Sequence, residues 1–195
     1  MSPQRRKSDK SPFTRFDEPH ACTSGELALT RTEYDLLISK VDNYEDELLI
    51  KLAVSTGIRR EDITHLKIAD IDLEHGTLAY HESKKKRNRV IQLQDPVVLL
   101  IKRFLGEISE KRETLFSFSG RTAYRHFNYW CREAGIPERP FHALRATCIK
   151  FCQRAGWSPE QVQRLTGDSW RVIQAHYSTP SISEMDEVTK CKPTI

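Results

Sequence analysis

The sequence predicts a mainly α-helical fold carrying one small antiparallel β-sheet. Three observations lead there. Apolar residues recur at helical spacing through most of the chain, as at Leu48, Leu49, Leu52 and Ala53. The helical runs are bounded by recognisable start and stop residues. A single stretch, Ile71 to Leu93, changes period and reads as short strands joined by turns.

The elements follow in order. Residues 1–28 hold few apolar residues and many Ser, Pro, Lys and Arg, which predicts a basic, disordered tail. Thr30 and Glu33 fit a capping box and open a first helix through Leu36, Leu37 and Ile38. A second helix runs from about Tyr44 to Ser55, with Gly57 just past its end, where helix C-termini favour glycine. A short third covers about Arg60–Leu66, with Glu61 and Asp62 in its first turn. In the sheet, Thr77–His81 and Arg89–Leu93 are the β-rich runs, and the turn between them carries the lysines. Helices return at about Val97–Leu105 and Arg121–Ala134, the second stopped by Gly135 and Pro137. The next spans 141–155 and ends at Gly156. Ser158-Pro159-Glu160 opens another, to near Thr166-Gly167, with Pro159 suited to the first helical position. A last core helix covers about Trp170–His176 and is closed by Tyr177. Ser181–Lys190 can form one more short helix.

Composition narrows the class. The 195 residues suggest one domain with tails, 38% hydrophobic and 30% charged. No apolar run approaches the roughly 18 residues of a membrane span. The basic N-terminus, MSPQRRKSDKSPFTRF, has no apolar stretch behind it and is not a secretory signal. The expectation is a soluble, intracellular (cytoplasmic) protein. Net charge is +4 and the pI about 8.8. Clustering matters more than the total: Lys84-Lys85-Lys86-Arg87-Asn88-Arg89 places five cations in six residues. The five cysteines, Cys22, Cys131, Cys148, Cys152 and Cys191, form no disulfide framework. With no C-x-x-C pair and no H-E-x-x-H, a metal site is not expected, and buried thiols are.

The stretch Phe141-His142-Ala143-Leu144-Arg145-Ala146-Thr147 sets the functional question. At a helix start, His142 and Arg145 share one face, where the helix dipole is already positive. By itself this reads as a solvated surface pair; the sharper reading is an anion site. Four further stretches join it: Thr56-Gly57-Ile58-Arg59, Ser83-Lys84, Leu165-Thr166-Gly167-Asp168-Ser169, and His176-Tyr177. Singly, each reads as ordinary surface or packing.

Together and in this order they resemble the catalytic domain of the tyrosine recombinases, the phage-integrase family. The resemblance covers about residues 29–178. It rests on the T-G-hydrophobic-Arg stretch, the hairpin lysine, H-x-x-R on a helix, and a tyrosine ten residues after Gly167. It implies a site-specific recombinase that cleaves and rejoins double-stranded DNA. Tyr177 is then the nucleophile, giving a 3′-phosphotyrosyl intermediate and a free 5′-hydroxyl. Arg59 and Arg145 clamp the non-bridging phosphate oxygens, a task suited to a planar, permanently charged guanidinium. His142 is the candidate base or phosphate-contacting donor. Lys84 is the candidate general acid for the 5′-oxygen, with Lys85 and Lys86 as alternatives. Asp62 corresponds to the family's supporting acidic residue. Lys85, Lys86, Arg87 and Arg89 are expected on backbone phosphates, giving sequence-independent, salt-sensitive affinity. The family needs neither ATP nor a metal, so no cofactor is expected.

Two departures stand out. Asp168 occupies the position where most members carry histidine and some tryptophan. An ionised carboxylate cannot donate a hydrogen bond. Three readings follow: Asp168 is protonated, it orients Arg59 or Arg145 by a salt bridge, or the site is weakened. Trp170 or His176 are candidates for the missing donor. Only about 28 residues precede Leu29, where relatives carry a separate DNA-clamping domain, so either a fragment or a minimal recombinase is expected. The tail cations Arg5, Arg6, Lys7 and Lys10 are candidates to replace that clamp in part. The resemblance further implies four protomers on paired DNA sites; in the C-terminal tail, 179–195, the segment Ser181–Lys190 is either a helix that docks on a neighbour or a frayed end. The alternatives are a DNA-binding protein with reduced or lost cleavage and a relaxing enzyme like the type IB topoisomerases.

Overall fold

The computed structural model describes residues 24–108, 112–177 and 190. Helix α1 (Arg31–Lys40) opens on the capping box that its sequence spells. The Thr30 hydroxyl accepts from the Glu33 amide at 3.2 Å, and the Glu33 carboxylate accepts from the Thr30 amide at 2.8 Å. Of its three aliphatic residues, Leu37 is fully buried while Leu36 is 41% exposed. Helix α2 (Tyr44–Thr56) ends on Gly57, whose φ of 65° lies in the left-handed region that glycine enters without a Cβ clash.

Helix α3 is Arg60–Ile63, shorter than the 60–66 that the pattern suggests. The Leu66 carbonyl accepts from the Leu115 amide at 2.8 Å, and Lys67 bridges to Thr114, so the chain leaves the helix for a β-type pairing. The sheet has three strands, β1 (Ile71–Asp72), β2 (Thr77–Glu82) and β3 (Arg87–Gln92), antiparallel and adjacent in chain order. The β2–β3 register sets Tyr80 opposite Arg89 and Glu82 opposite Arg87. The turn between them is a 3-10 segment, Ser83–Lys85, followed by Lys86 at φ 48°.

Helices α4 (Asp95–Glu107) and α5 (Gly120–Glu133) complete the first half of the core. Asp46 ties α5 to α2: it accepts from Trp130 Nε1 and contacts His126 Nδ1, both at 2.7 Å. Helices α6 (His142–Arg154), α7 (Pro159–Thr166) and α8 (Trp170–Tyr177) follow. Ser158 and Gln161 make the capping box of α7, with Pro159 in its first turn.

Helix α6 is the pivot of the molecule. Every residue from Ala143 to Lys150 is buried. Leu144 joins the larger apolar cluster, which is built on α1 to α5 and the sheet. Ala146, Cys148, Ile149 and Cys152 join a second one with Val162, Leu165, Ile173 and Tyr177. The two cores therefore meet along α6, and its N-terminus lies at their seam. A 3-10 turn at Ser24–Leu27 lies within the stretch read as tail. The chain there is tied to α6, because the Leu29 amide donates to Thr147 Oγ1 at 2.8 Å.

Cys131, Cys148 and Cys152 are buried free thiols, as their spacing suggests. Cys22, Cys191, the basic N-terminal residues and the expected helix at Ser181–Lys190 lie outside the described residues, Lys190 excepted. Among the described residues no helix is long and apolar enough to cross a membrane.

Candidate functional site

The five stretches singled out in the sequence converge where the two cores meet. Gly57 turns the chain out of α2 so that Arg59 stands at the head of α3 in extended backbone. A Cβ on Gly57 would lie 3.1 Å from Thr166 Cγ2 and 3.3 Å from Cys148 Sγ, so α2, α6 and α7 approach each other around a residue with no side chain. The Gly57 carbonyl accepts from Arg145 Nη1.

Arg145 has a side chain only 3% exposed. Its Nη2 donates to the Thr166 carbonyl at 2.9 Å, and Nε and Nη2 meet Asp168 Oδ2 at 3.0 and 2.7 Å. The other oxygen, Asp168 Oδ1, accepts from Arg59 Nη2 at 3.0 Å. Asp168 thus bridges the two arginines. Of the three readings of this residue, the geometry is that of the salt bridge. Trp170 is 43% exposed at the start of α8. No hydrogen bond joins its indole to this cluster among the described residues; the His176 side chain lies outside them.

Arg59 is the more open guanidinium, with 21% of its side chain exposed. Its Nη1 donates to Glu82 Oε1, and Glu82 Oε2 accepts from Arg87 Nε at 2.7 Å. Burial opposes ionisation of Glu82, but the bonds and charges of Arg59 and Arg87 outweigh it and hold its carboxyl below the usual range. Glu82 is absent from the sequence-derived site. Strand alternation carries a signal for it: Leu78, Tyr80 and Glu82 are the buried positions of β2, and the last is a carboxylate where an apolar residue is the rule.

The same alternation explains the basic hairpin. Arg87 and Arg89 share the face of the buried Ile91. Arg89 Nη1 donates to Tyr80 Oη at 2.7 Å and Nη2 to the carbonyls of Arg164 and Leu165, the latter at 3.2 Å. Arg87 Nη2 donates to the Gly167 carbonyl at 3.2 Å, and Lys85 Nζ to the same oxygen. Three cations expected on phosphates therefore lie against the C-terminal carbonyls of α7, where the helix dipole is negative. Burial pulls the Lys85 ammonium below the ordinary lysine range. Lys84 and Lys86 are exposed, and their side chains have no hydrogen-bond or ion-pair partner among the described residues. Asp62, 5% exposed, accepts from the Ser83 amide at 3.1 Å and so holds the root of the Lys84 turn.

His142 and Tyr177 face each other, with Nε2 and Oη 2.9 Å apart. The α8 packing that buries Tyr177 brings its hydroxyl to the first residue of α6. Desolvation, then the charges of Arg145, Arg59 and Lys84, lower the His142 pKa against the opposing pull of Asp168. A neutral imidazole with its proton on Nδ1 can accept the phenolic proton at Nε2. A cavity of about 320 Å³ opens beside these groups, lined among others by Arg59, Arg60, Tyr124, His142 and Arg145. Tyr124 of α5 is a second wall residue that the motif reading passes over. Among the described residues no group of three or more His, Cys, Asp or Glu is placed to hold a metal ion.

A mainly helical fold thus carries two arginines bridged by one aspartate, with a tyrosine and a histidine in contact beside them. The chain belongs to the phage integrase family, whose sequence model matches residues 28–179. It is 27% identical over 141 residues to the tyrosine recombinase XerA of Saccharolobus solfataricus, covering 72% of this chain and 47% of that protein. The chain thus spans about half the length of that curated relative. The fold is similar to a crystal structure of XerA recombinase, with a TM-score of 0.74 at 20% identity over 86% of this chain and 66% of the other. It is also similar to the XerH site-specific recombinase bound to a palindromic difH substrate in a post-cleavage complex. There the TM-score is 0.69 at 22% identity, over 84% of this chain and 52% of that one.

Proposed function

We propose that the chain carries the strand-cleaving site of a site-specific DNA recombinase. The observation that supports this most directly is the 2.9 Å contact of Tyr177 Oη with His142 Nε2 beside the Arg59–Asp168–Arg145 cluster. Tyr177 Oη attacks the scissile phosphorus while His142 takes its proton. The bond from phosphorus to the 5′-oxygen breaks, and Lys84 Nζ protonates the leaving oxygen. The products are a 3′-phosphotyrosyl linkage and a 5′-hydroxyl, and rejoining reverses each step. Arg59 and Arg145 stabilise the charge gathering on the non-bridging oxygens, by about 3 kcal/mol each on the scale of oxyanion-hole donors. Lys84 suits the acid's role better than Lys85, because Lys85 is bonded to the Gly167 carbonyl while the Lys84 side chain is exposed with no partner among the described residues.

Incubation with a nicked double-stranded site tests the proposal. Wild type is expected to form a covalent adduct that survives denaturing electrophoresis, and Tyr177→Phe none. An adduct with Tyr177→Phe removes Tyr177 from the nucleophile's role. A second reading is a DNA-binding protein of the same fold with cleavage reduced or lost. It is favoured by Asp168, which supplies no donor and holds both arginines before any phosphate arrives. Wild type that binds DNA but never forms the adduct decides for it. Strand exchange between two sites separates a recombinase from a relaxing enzyme. Assembly of four protomers on paired sites belongs to the same proposal; the palindromic substrate of XerH, with its two like halves, supports two protomers on one DNA site.

A further inference from the structure

Glu82 sits where two parts of the proposed machinery must be held in register. Its side chain is 1% exposed and both carboxylate oxygens are engaged, one by Arg59 and one by Arg87. It is the last residue of β2, two positions before Lys84. The turn that follows is fixed a second time, by the bond from the Ser83 amide to Asp62. Arg59 has Glu82 on one terminal nitrogen and Asp168 on the other. These two bonds fix the plane of the guanidinium, and with it the direction of the N–H groups left for a phosphate. Asp168 alone would leave the guanidinium free to rotate about a single contact.

We propose that Glu82 is a positioning residue for strand cleavage, acting through Arg59. It touches no reacting atom. Its carboxylate sets the orientation of the Arg59 guanidinium and anchors it to the strand that leads into the Lys84 turn. The inference rests on the strand-cleaving reading, and it adds a residue that no motif marks. A guanidinium displaced by about 1 Å at a charge-stabilising site costs on the order of 100-fold in rate.

The test uses the whole chain and two nicked DNA substrates. One has an ordinary scissile phosphodiester. In the other, one non-bridging oxygen at the scissile phosphate is replaced by methyl, which removes the negative charge that Arg59 serves. Glu82→Gln is expected to slow adduct formation by roughly 10- to 100-fold on the phosphodiester. On the methylphosphonate it is expected to react within about threefold of wild type, with Arg59→Ala showing the same pattern. Glu82→Asp keeps the charge and draws it back by one methylene. It is expected to fall between the two on the phosphodiester, and it carries the test if Glu82→Gln does not fold. Equal losses on both substrates mean that Glu82 only supports the fold, and overturn the proposal. So does an unchanged rate on the phosphodiester. Wild type forming no adduct on either substrate overturns the cleavage reading itself, a result separate from any behaviour of Glu82.

Discussion

Asp168 is the residue that ties the two arginines of the proposed site together. Its carboxylate lies between two guanidiniums, and its side chain is 9% exposed. Truncating one partner of such a buried pair leaves charge uncompensated, at a cost of about 3–5 kcal/mol. Asp168→Ala is therefore expected to lower unfolding free energy by that order in urea titration. Asp168→His places a ring where both arginines need an acceptor, and is expected to lose stability and cleavage together rather than to gain activity. His142 supplies a pH signature. Its folded pKa lies below the free-histidine value of about 6.5. Between the two values the unfolded chain binds more protons, so stability rises with pH across that window and is level above it. Cleavage at low DNA concentration should fall as pH drops through the lowered pKa, because the protonated ring cannot accept from Tyr177. In urea titrations from pH 5 to 8, about the range over which histidine titrates, His142→Gln should lack this part of the stability slope.

At the scale of elements, the site depends on how closely α2, α6 and α7 approach. Gly57→Ala adds a Cβ 3.1 Å from Thr166 at a φ of 65°, and shifts the carbonyl that Arg145 uses. A loss of roughly 2 kcal/mol in thermal or urea unfolding is expected, with slower cleavage. Lys86 is the opposite case, an exposed residue in left-handed backbone without a glycine's freedom. Lys86→Gly should relieve the turn by about 0.5–1 kcal/mol after the entropy that glycine adds to the unfolded chain. Caps and turns of this kind are local, which is why Thr30–Glu33, Gly57 and Pro159 could be read from the chain. The partners of Lys85, Arg87 and Arg89 are not local, since the hairpin must first fold across the end of α7, some 75 to 82 residues away. The inward face of β3 was written in its alternation, but a run of five cations masks that period. Glu82 carries a local signal, a carboxylate at a buried strand position opposite Arg87, but its contact with Arg59 is 23 residues distant, and Tyr124 meets the cavity only once α5 has packed.

For the molecule as a whole, the division of the basic hairpin bears on DNA affinity. Lys86→Ala should weaken DNA binding by a similar factor on any sequence. It should also reduce the slope of log affinity against log salt by up to about 0.9, the loss of one phosphate contact. Arg89→Ala should chiefly lower the melting temperature, because it removes bonds between the sheet and α7. Titration of both variants by fluorescence anisotropy at several salt concentrations, beside thermal melts, separates the two roles.

On the proposed function, the carboxylates of Asp168 and Glu82 also bear on which phosphates the site should accept. The guanidiniums of Arg59, Arg87 and Arg145 are already bonded to two internal carboxylates, which offset most of the positive charge that an incoming anion would meet. A lone inorganic phosphate must compete with those carboxylates and has no other contact to help it. A phosphate in DNA arrives with neighbours that the exposed lysines can hold, and their contacts offset the competition. On the proposed function the site should favour polymer over monomer, and free phosphate is expected to be a poor inhibitor.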